Sequence, residues 1–143
     1  MPSLYDELGG FDRILALTRQ WHKLCLQDPV AAHPFDRQLH PQHDERLAAY
    51  LSEAFGGPAL YTAGYGDESH VQQLHACNGL HIELDEACLA AFEGALLNVG
   101  MMGEPARRAY DYFRRATEAQ RAWGDEGAQV PAGLPFRRIE DGR

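Results

Sequence analysis

Apolar residues recur three and four positions apart along almost the whole chain, and glycines interrupt this pattern at intervals. No segment alternates apolar and polar residues over the length of a strand, so the pattern predicts α-helices and no sheet. The interruptions at Gly9-Gly10, Gly56-Gly57 and Gly100 predict helix ends, since glycine readily adopts the left-handed conformation that closes many helices. We therefore expect an all-α protein whose helices bury one another.

The local signals give approximate bounds for these helices. Ser3 and Asp6 resemble a capping box for a first short helix, and Asp67 is expected to cap another short one that Asn78-Gly79 ends. The longer helices are expected over residues 11–27, 41–55, 83–99 and 105–123, with Pro41 and Pro105 in first turns. We expect one folded domain over residues 1–124 and a C-terminal extension over 125–143, loose or packed on the domain.

Charge and composition exclude several classes of protein. The net charge of −8 would repel phosphate backbones, so we expect no nucleic-acid partner. No apolar run approaches the length of a membrane span, and the first residues lack the features of a secretory signal, so we expect a cytoplasmic protein with no membrane association. Cys25, Cys77 and Cys88 form no CxxC pair and are odd in number, which argues against a disulfide framework or a thiolate zinc site.

Three histidines, His22, His43 and His75, lie on the apolar stripes of three separate predicted helices. One inward histidine is usually a core residue with a single hydrogen bond, but three together favour a binding site. A neutral imidazole binds transition metals. One alternative is zinc held by His33, His40 and His43, although their spacing matches no closed zinc motif. The other is a flat apolar iron cofactor held by one axial histidine.

Several segments together resemble the truncated, two-over-two haemoglobins, and among these their second group. The segments are LYDELGG at 4–10, ERL at 45–47, GGPALY at 56–61 and LH at 74–75. The resemblance runs from about Ser3 to Trp123. It implies a globin-like, truncated two-over-two helical sandwich around haem b.

The resemblance also implies roles for individual residues. His75 would be the proximal ligand of the haem iron through Nε2, with Leu74 beside it, whereas His70 and His81 are expected at the surface. The other expected haem contacts are Phe35 against the haem plane, Arg46 at a propionate and Tyr61 at the haem edge. The expected distal pocket holds Trp21, His22, Phe35, His43, Leu47 and Cys88, with His22 and Cys88 where the second group usually has tyrosine and tryptophan.

The expected function is a haem globin that reversibly binds dioxygen, and also carbon monoxide or nitric oxide, as in oxygen transport. His22 or His43 could donate an N–H to bound dioxygen, or could itself occupy the sixth iron position in part of the ligand-free protein. One alternative is a haem redox enzyme, peroxidase-like or a nitric oxide dioxygenase, that works with a reductase. Another is a haem-free interaction or sensory module. The oligomeric state stays open.

Overall fold

The computed structural model describes residues 2–36, 40–77, 79 and 81–139. This part of the chain forms helices and no strand, so the prediction of an all-α protein is confirmed. The α-helices are α1 (Leu4–Glu7), α2 (Phe11–Leu26), α3 (Pro29–Ala32), α4 (His43–Ala54), α5 (Glu68–His75), α6 (Ile82–Asn98) and α7 (Gly103–Ala119), and two 3-10 helices cover His33–Asp36 and Gln120–Trp123. None of the helices described combines the length and the low polarity needed to cross a bilayer.

Two predicted helix starts are confirmed by hydrogen bonds. At α1 the Ser3 hydroxyl accepts from the backbone N–H of Asp6 at 3.1 Å, while the Asp6 carboxylate accepts from the backbone N–H of Ser3 at 3.2 Å. At α5 the Asp67 carboxylate accepts from the backbone N–H of His70 at 2.8 Å. These side chains satisfy amides that have no partner within the helix.

Two other helix ends differ from the prediction. The helix α4 begins at His43 and not at Pro41, because the backbone N–H of Gln42 donates to Nδ1 of His40 at 3.0 Å and holds a turn before the helix. The helix α5 ends at His75, before the predicted stop at Asn78-Gly79, and Asn78 itself lies outside the described residues. Its neighbour Gly79 has a φ of +76°, in the left-handed region that favours glycine.

The core forms where α2 crosses α4 and α6, and α7 packs on α6. Ile14 and Leu17 of α2, Phe55 after α4 and Phe92 of α6 are almost completely buried there. Thr18, also buried, donates its hydroxyl to the backbone carbonyl of Asp44 at 3.1 Å. This bond joins the middle of α2 to the first turn of α4 and fixes the relative position of the two helices.

Residues 134–139 lie on α4, α5 and α7. The backbone N–H of Ile139 donates to the carbonyl of Ala54 at 2.8 Å, and that of Arg137 donates to the Glu68 carboxylate at 2.8 Å. The hydroxyl of Tyr112 donates to the carbonyl of Arg137 at 2.7 Å. Residues 134–139 are therefore tied by hydrogen bonds to three helices of the domain.

Candidate functional site

His75 is the last residue of α5 and makes a hydrogen bond within its own helix. Its Nδ1 lies 2.8 Å from the backbone carbonyl oxygen of Val71, one turn earlier. A carbonyl oxygen only accepts, so Nδ1 must carry the proton, and Nε2 then carries the lone pair. Such a bond to the second ring nitrogen is how proteins usually orient a metal-binding histidine.

The surroundings of His75 favour its neutral form. The side chain has substantial accessible surface. Even so, desolvation by the protein atoms around it lowers the pKa of His75 below its ordinary value, and the charge of His43 lowers it further. A neutral imidazole is the form that binds a transition metal.

His22 and His43 share one carboxylate. Oδ1 of Asp44 lies 2.8 Å from Nδ1 of His22 and 3.3 Å from Nδ1 of His43. An ionised carboxylate only accepts hydrogen bonds, so both Nδ1 atoms carry protons in these contacts and both Nε2 atoms carry lone pairs. In this arrangement a neutral His22 or His43 can accept a proton or bind a metal through Nε2. It cannot donate an N–H from that atom to a bound gas.

Aromatic rings hold these two imidazoles in place. Phe35 stacks on His22, with ring centroids 4.5 Å apart and planes at 24°, and meets His43 edge-on at 5.7 Å. Trp21 packs against Phe35 and donates its Nε1–H to the carbonyl of Cys88 at 3.0 Å. The structure thus brings Trp21, His22, Phe35 and His43 together, as expected for one side of a pocket.

The other expected pocket residues line the interior of the same region. Leu47 is partly buried against the core, one turn after His43. The thiols of Cys25 and Cys88 influence each other. Their interaction and burial raise the pKa of Cys25, whereas the same interaction lowers the pKa of Cys88.

The residues expected at the haem edge contact one another. The guanidinium of Arg46 lies 4.8 Å from the ring centroid of Tyr65 and donates to its carbonyl at 3.4 Å. Tyr61 is buried and packs between Tyr50 and Tyr65, and desolvation raises its pKa although the nearby charge of Arg46 opposes this. Arg46 therefore lies beside both tyrosines, at the junction of α4 and the loop that follows it.

Sequence reasoning missed Asp44. It follows His43 directly, in the first turn of α4, where an acidic residue is already favoured by the helix dipole and attracts no attention. Among the described residues, the group of three side chains close enough to share a metal ion is His22, His43 and Asp44. His33 and His40, which the zinc alternative required beside His43, do not join it.

The residues present suit a flat apolar cofactor whose iron is held by a histidine. His75 on α5, His22 on α2 and His43 on α4 each carry an imidazole nitrogen with a lone pair. Leu74, next to His75, and Ile82, at the start of α6, are large apolar side chains with exposed fractions of 60% and 48%. Large apolar side chains left exposed are typical of a surface that a ligand covers.

Comparison with known proteins identifies the family. The family model of bacterial-like globins matches residues 3–121. The chain belongs to this family. Among curated proteins, this globin is similar to the group 1 truncated hemoglobin GlbN of Synechocystis, with 29% identity over 107 residues that cover 73% of this chain and 82% of the relative. It also resembles the GlbN of Nostoc commune, with 28% identity, covering 68% of this chain and 99% of the relative.

Solved structures show the same fold. The group II truncated hemoglobin of Bacillus anthracis, as its Tyr26Ala mutant, superposes with a TM-score of 0.76 at 18% identity, covering 89% of this globin and 96% of that chain. The hemoglobin of Chloroflexus aurantiacus superposes with a TM-score of 0.73 at 25% identity, covering 84% and 98%. The predictions of a truncated haemoglobin and of a globin fold are therefore confirmed. The sequence relatives belong to group 1, whereas the Bacillus structure belongs to group II.

Proposed function

We propose that this globin binds haem b through Nε2 of His75 and reversibly binds dioxygen and other diatomic gases, such as carbon monoxide and nitric oxide. The observation that carries the proposal is the 2.8 Å bond between Nδ1 of His75 and the carbonyl of Val71. It orients one imidazole with its lone pair on Nε2, as proteins usually orient a metal-binding histidine. Haem iron held by such an imidazole supplies a reversible binding position for a gas.

The chain's own residues would control the space on the other side of the haem. Phe35 and Trp21 fill it with apolar surface and restrict the entry of water. His22 and His43 are held by Asp44 with Nε2 as the acceptor, so in the neutral state neither offers a donor to a bound gas. For either to stabilise bound dioxygen by a hydrogen bond, its Nε2 must first take up a proton, and the carboxylate of Asp44 would stabilise the resulting charge.

The test is the absorption spectrum of the ferric, ferrous and carbon monoxide forms of the protein and of His75→Gly. We expect the variant to lose the spectrum of a histidine-ligated haem and to regain it when imidazole is added. The matched control is His70→Gly, which introduces the same substitution at an exposed histidine of the same helix. A His75→Gly protein that holds haem with an unchanged spectrum would show that the iron is ligated elsewhere. A chain with no Soret band after haem reconstitution would instead be the haem-free module.

A second candidate function is peroxidase-like turnover at the same haem. The observation that favours it is the 2.8 Å contact between His22 and Asp44. A carboxylate that fixes the proton on Nδ1 leaves Nε2 as a base, which can take a proton from peroxide. Such turnover would need a reducing partner, which is a further proposal.

A further inference from the structure

A cluster of three metal-ligating side chains is supplied by two different helices. His22 comes from the middle of α2, and His43 and Asp44 come from the first turn of α4. One ligand atom from each lies within 4.8 Å of the others. We propose that His22, His43 and Asp44 form a binding site for one divalent transition-metal cation of the Zn²⁺ class, separate from the haem iron.

The separations of the ligand atoms suit such a cation. Oδ1 of Asp44 is 2.8 Å from Nδ1 of His22 and 3.3 Å from Nδ1 of His43. Ligand atoms of a tetrahedral Zn²⁺ site with bonds of about 2.0–2.1 Å are about 3.3 Å apart. The separation from His43 equals that value, the one from His22 is about 0.5 Å shorter, and the ligand atoms of the two histidines lie within 4.8 Å of each other, so small rotations of the rings would adjust these two.

The donor set has the right chemistry and an open position. Two imidazole nitrogens and one carboxylate oxygen are the ligands of many zinc and non-haem iron sites. The side chains of His22, His43 and Asp44 are 22%, 31% and 22% exposed, so a cation can enter and a water molecule can complete its coordination. The positive end of the α4 dipole opposes a cation, and the negative charge of Asp44 offsets it.

The surrounding residues hold the three ligands in this arrangement before any cation arrives. Phe35 stacks on the ring of His22 and meets the ring of His43 edge-on. The hydroxyl of Thr18 holds the backbone carbonyl of Asp44, which fixes the start of α4 against α2. A site that is preorganised in this way loses less entropy when the cation binds.

Binding would change the tautomer of both histidines without a net change in protons. The cation would replace the proton on each Nδ1, and each neutral ring would then carry its proton on Nε2. Nε2 of His22 and of His43 would thereby change from an acceptor to a donor. The cation would thus supply the N–H donors that the cation-free arrangement lacks.

The alternative is that Asp44 only orients the two imidazoles by hydrogen bonds, with no cation. Titration of Zn²⁺ into the full-length, haem-loaded protein, followed calorimetrically, distinguishes the two. We expect one Zn²⁺ per chain, with affinity reduced at least about tenfold in His22→Leu and in Asp44→Asn. The matched control, His70→Leu, replaces an exposed histidine outside the cluster and should retain the affinity.

Zinc X-ray absorption on the unsubstituted protein provides a second measurement that does not depend on the variants folding. We expect two imidazole nitrogens and one carboxylate oxygen at about 2.0–2.1 Å from the zinc. Absence of stoichiometric binding, a different ligand set, or undiminished affinity in both His22→Leu and Asp44→Asn would overturn the proposal. The haem-free chain can be titrated in the same way, so failure to hold haem and failure to bind Zn²⁺ are separate results.

Discussion

Nδ1 of His22 on α2 lies 2.8 Å from Oδ1 of Asp44 on α4. This contact joins two helices at the centre of the candidate site, and it decides which nitrogen of His22 carries the proton. The imidazole keeps its lone pair on Nε2, as His43 does through its own 3.3 Å contact with the same oxygen. The behaviour of the haem iron should depend on these two lone pairs.

The first prediction concerns the sixth iron position. We expect the ferric protein to contain a low-spin fraction at neutral pH, because Nε2 of His43 or His22 can bind the iron when no gas is present. If His43 is the sixth ligand, His43→Leu should convert that fraction to high spin. If His22 is the sixth ligand, His22→Leu should do so. Electron paramagnetic resonance and visible absorption measure this, with His70→Leu, at an exposed histidine, as the control. A ferric protein that is fully high spin at neutral and alkaline pH would contradict the prediction.

The second prediction concerns peroxide. If Nε2 of His22 takes the proton from peroxide, His22→Leu should lower the rate of peroxide-dependent oxidation of guaiacol about 10²–10⁴-fold. Asp44→Asn should lower it less, since the imidazole remains but its orientation and proton position are no longer fixed by a carboxylate. Stopped-flow measurement of the first step with peroxide checks this. Equal rates for the unsubstituted protein and His22→Leu would rule out this role of His22.

Local signals in the sequence predicted the helices well and the site only in part. Ser3, Asp6 and Asp67 act within one helical turn of their partners, so their caps can be read from neighbouring residues. The helix start at His43 could not be read this way, because Pro41 permitted an earlier one.

The pairing of His22 with Asp44 could not be predicted from the sequence, for a different reason. It depends on how α2 crosses α4, which is set by packing and by the bond between Thr18 and the carbonyl of Asp44. Periodicity placed His22 and His43 on inner faces. It could not show that the carboxylate of Asp44 would contact the imidazole rings of both His22 and His43.

The third prediction concerns the GGPALY turn that carries much of the family resemblance. A Cβ at Gly57 would lie 2.7 Å from the backbone carbonyl oxygen of Ser52 and 2.6 Å from Cδ2 of Tyr5. The Ser52 carbonyl already accepts a 2.8 Å hydrogen bond from the N–H of Gly57. We therefore expect Gly57→Ala to lower the free energy of unfolding by about 1–3 kcal/mol. Urea denaturation at neutral pH measures the change.

A glycine in the following loop provides the control for this prediction. A Cβ at Gly64 would meet its nearest atom, the carbonyl oxygen of Leu60, at 3.7 Å, which is an ordinary contact. Gly64→Ala should therefore leave the free energy of unfolding nearly unchanged or raise it slightly. Equal destabilisation by the two substitutions would show that the close approach at Gly57 does not matter.

The fourth prediction concerns alkaline pH and the contact between the domain and residues 134–139. The hydroxyl of Tyr50 donates to the buried carboxylate of Glu68 at 2.8 Å, and the same carboxylate oxygen accepts from the backbone N–H of Arg137. Desolvation raises the pKa of Tyr50 well above its ordinary value of 10.0, and the neighbouring Tyr112 and Glu68 raise it further. The folded protein therefore keeps Tyr50 protonated at a pH where the unfolded chain loses that proton.

The direction of the effect follows from this difference. A raised pKa in the folded state contributes stability that is complete below pH 10 and is lost as the pH rises above it, by about 1.4 kcal/mol per pH unit for one such group. Burial raises the pKa of Tyr112 as well, so two groups add to the slope. Tyr50→Phe should be less stable at pH 8 by about 1.5–3 kcal/mol, because it loses a bond to a charged acceptor. Above pH 10, however, its stability should fall less steeply.

Urea denaturation from pH 8 to 11.5 measures both the stability at pH 8 and the slope of stability with pH above pH 10. Tyr110→Phe, at a partly buried tyrosine of α7, controls for the loss of a hydroxyl elsewhere. A Tyr50→Phe protein with the same alkaline slope as the unsubstituted protein would show that Tyr50 ionises equally in the folded and unfolded states. A shallower slope together with lower stability at pH 8 would show that the Tyr50–Glu68 bond stabilises the fold at the place where Glu68 also accepts from the N–H of Arg137.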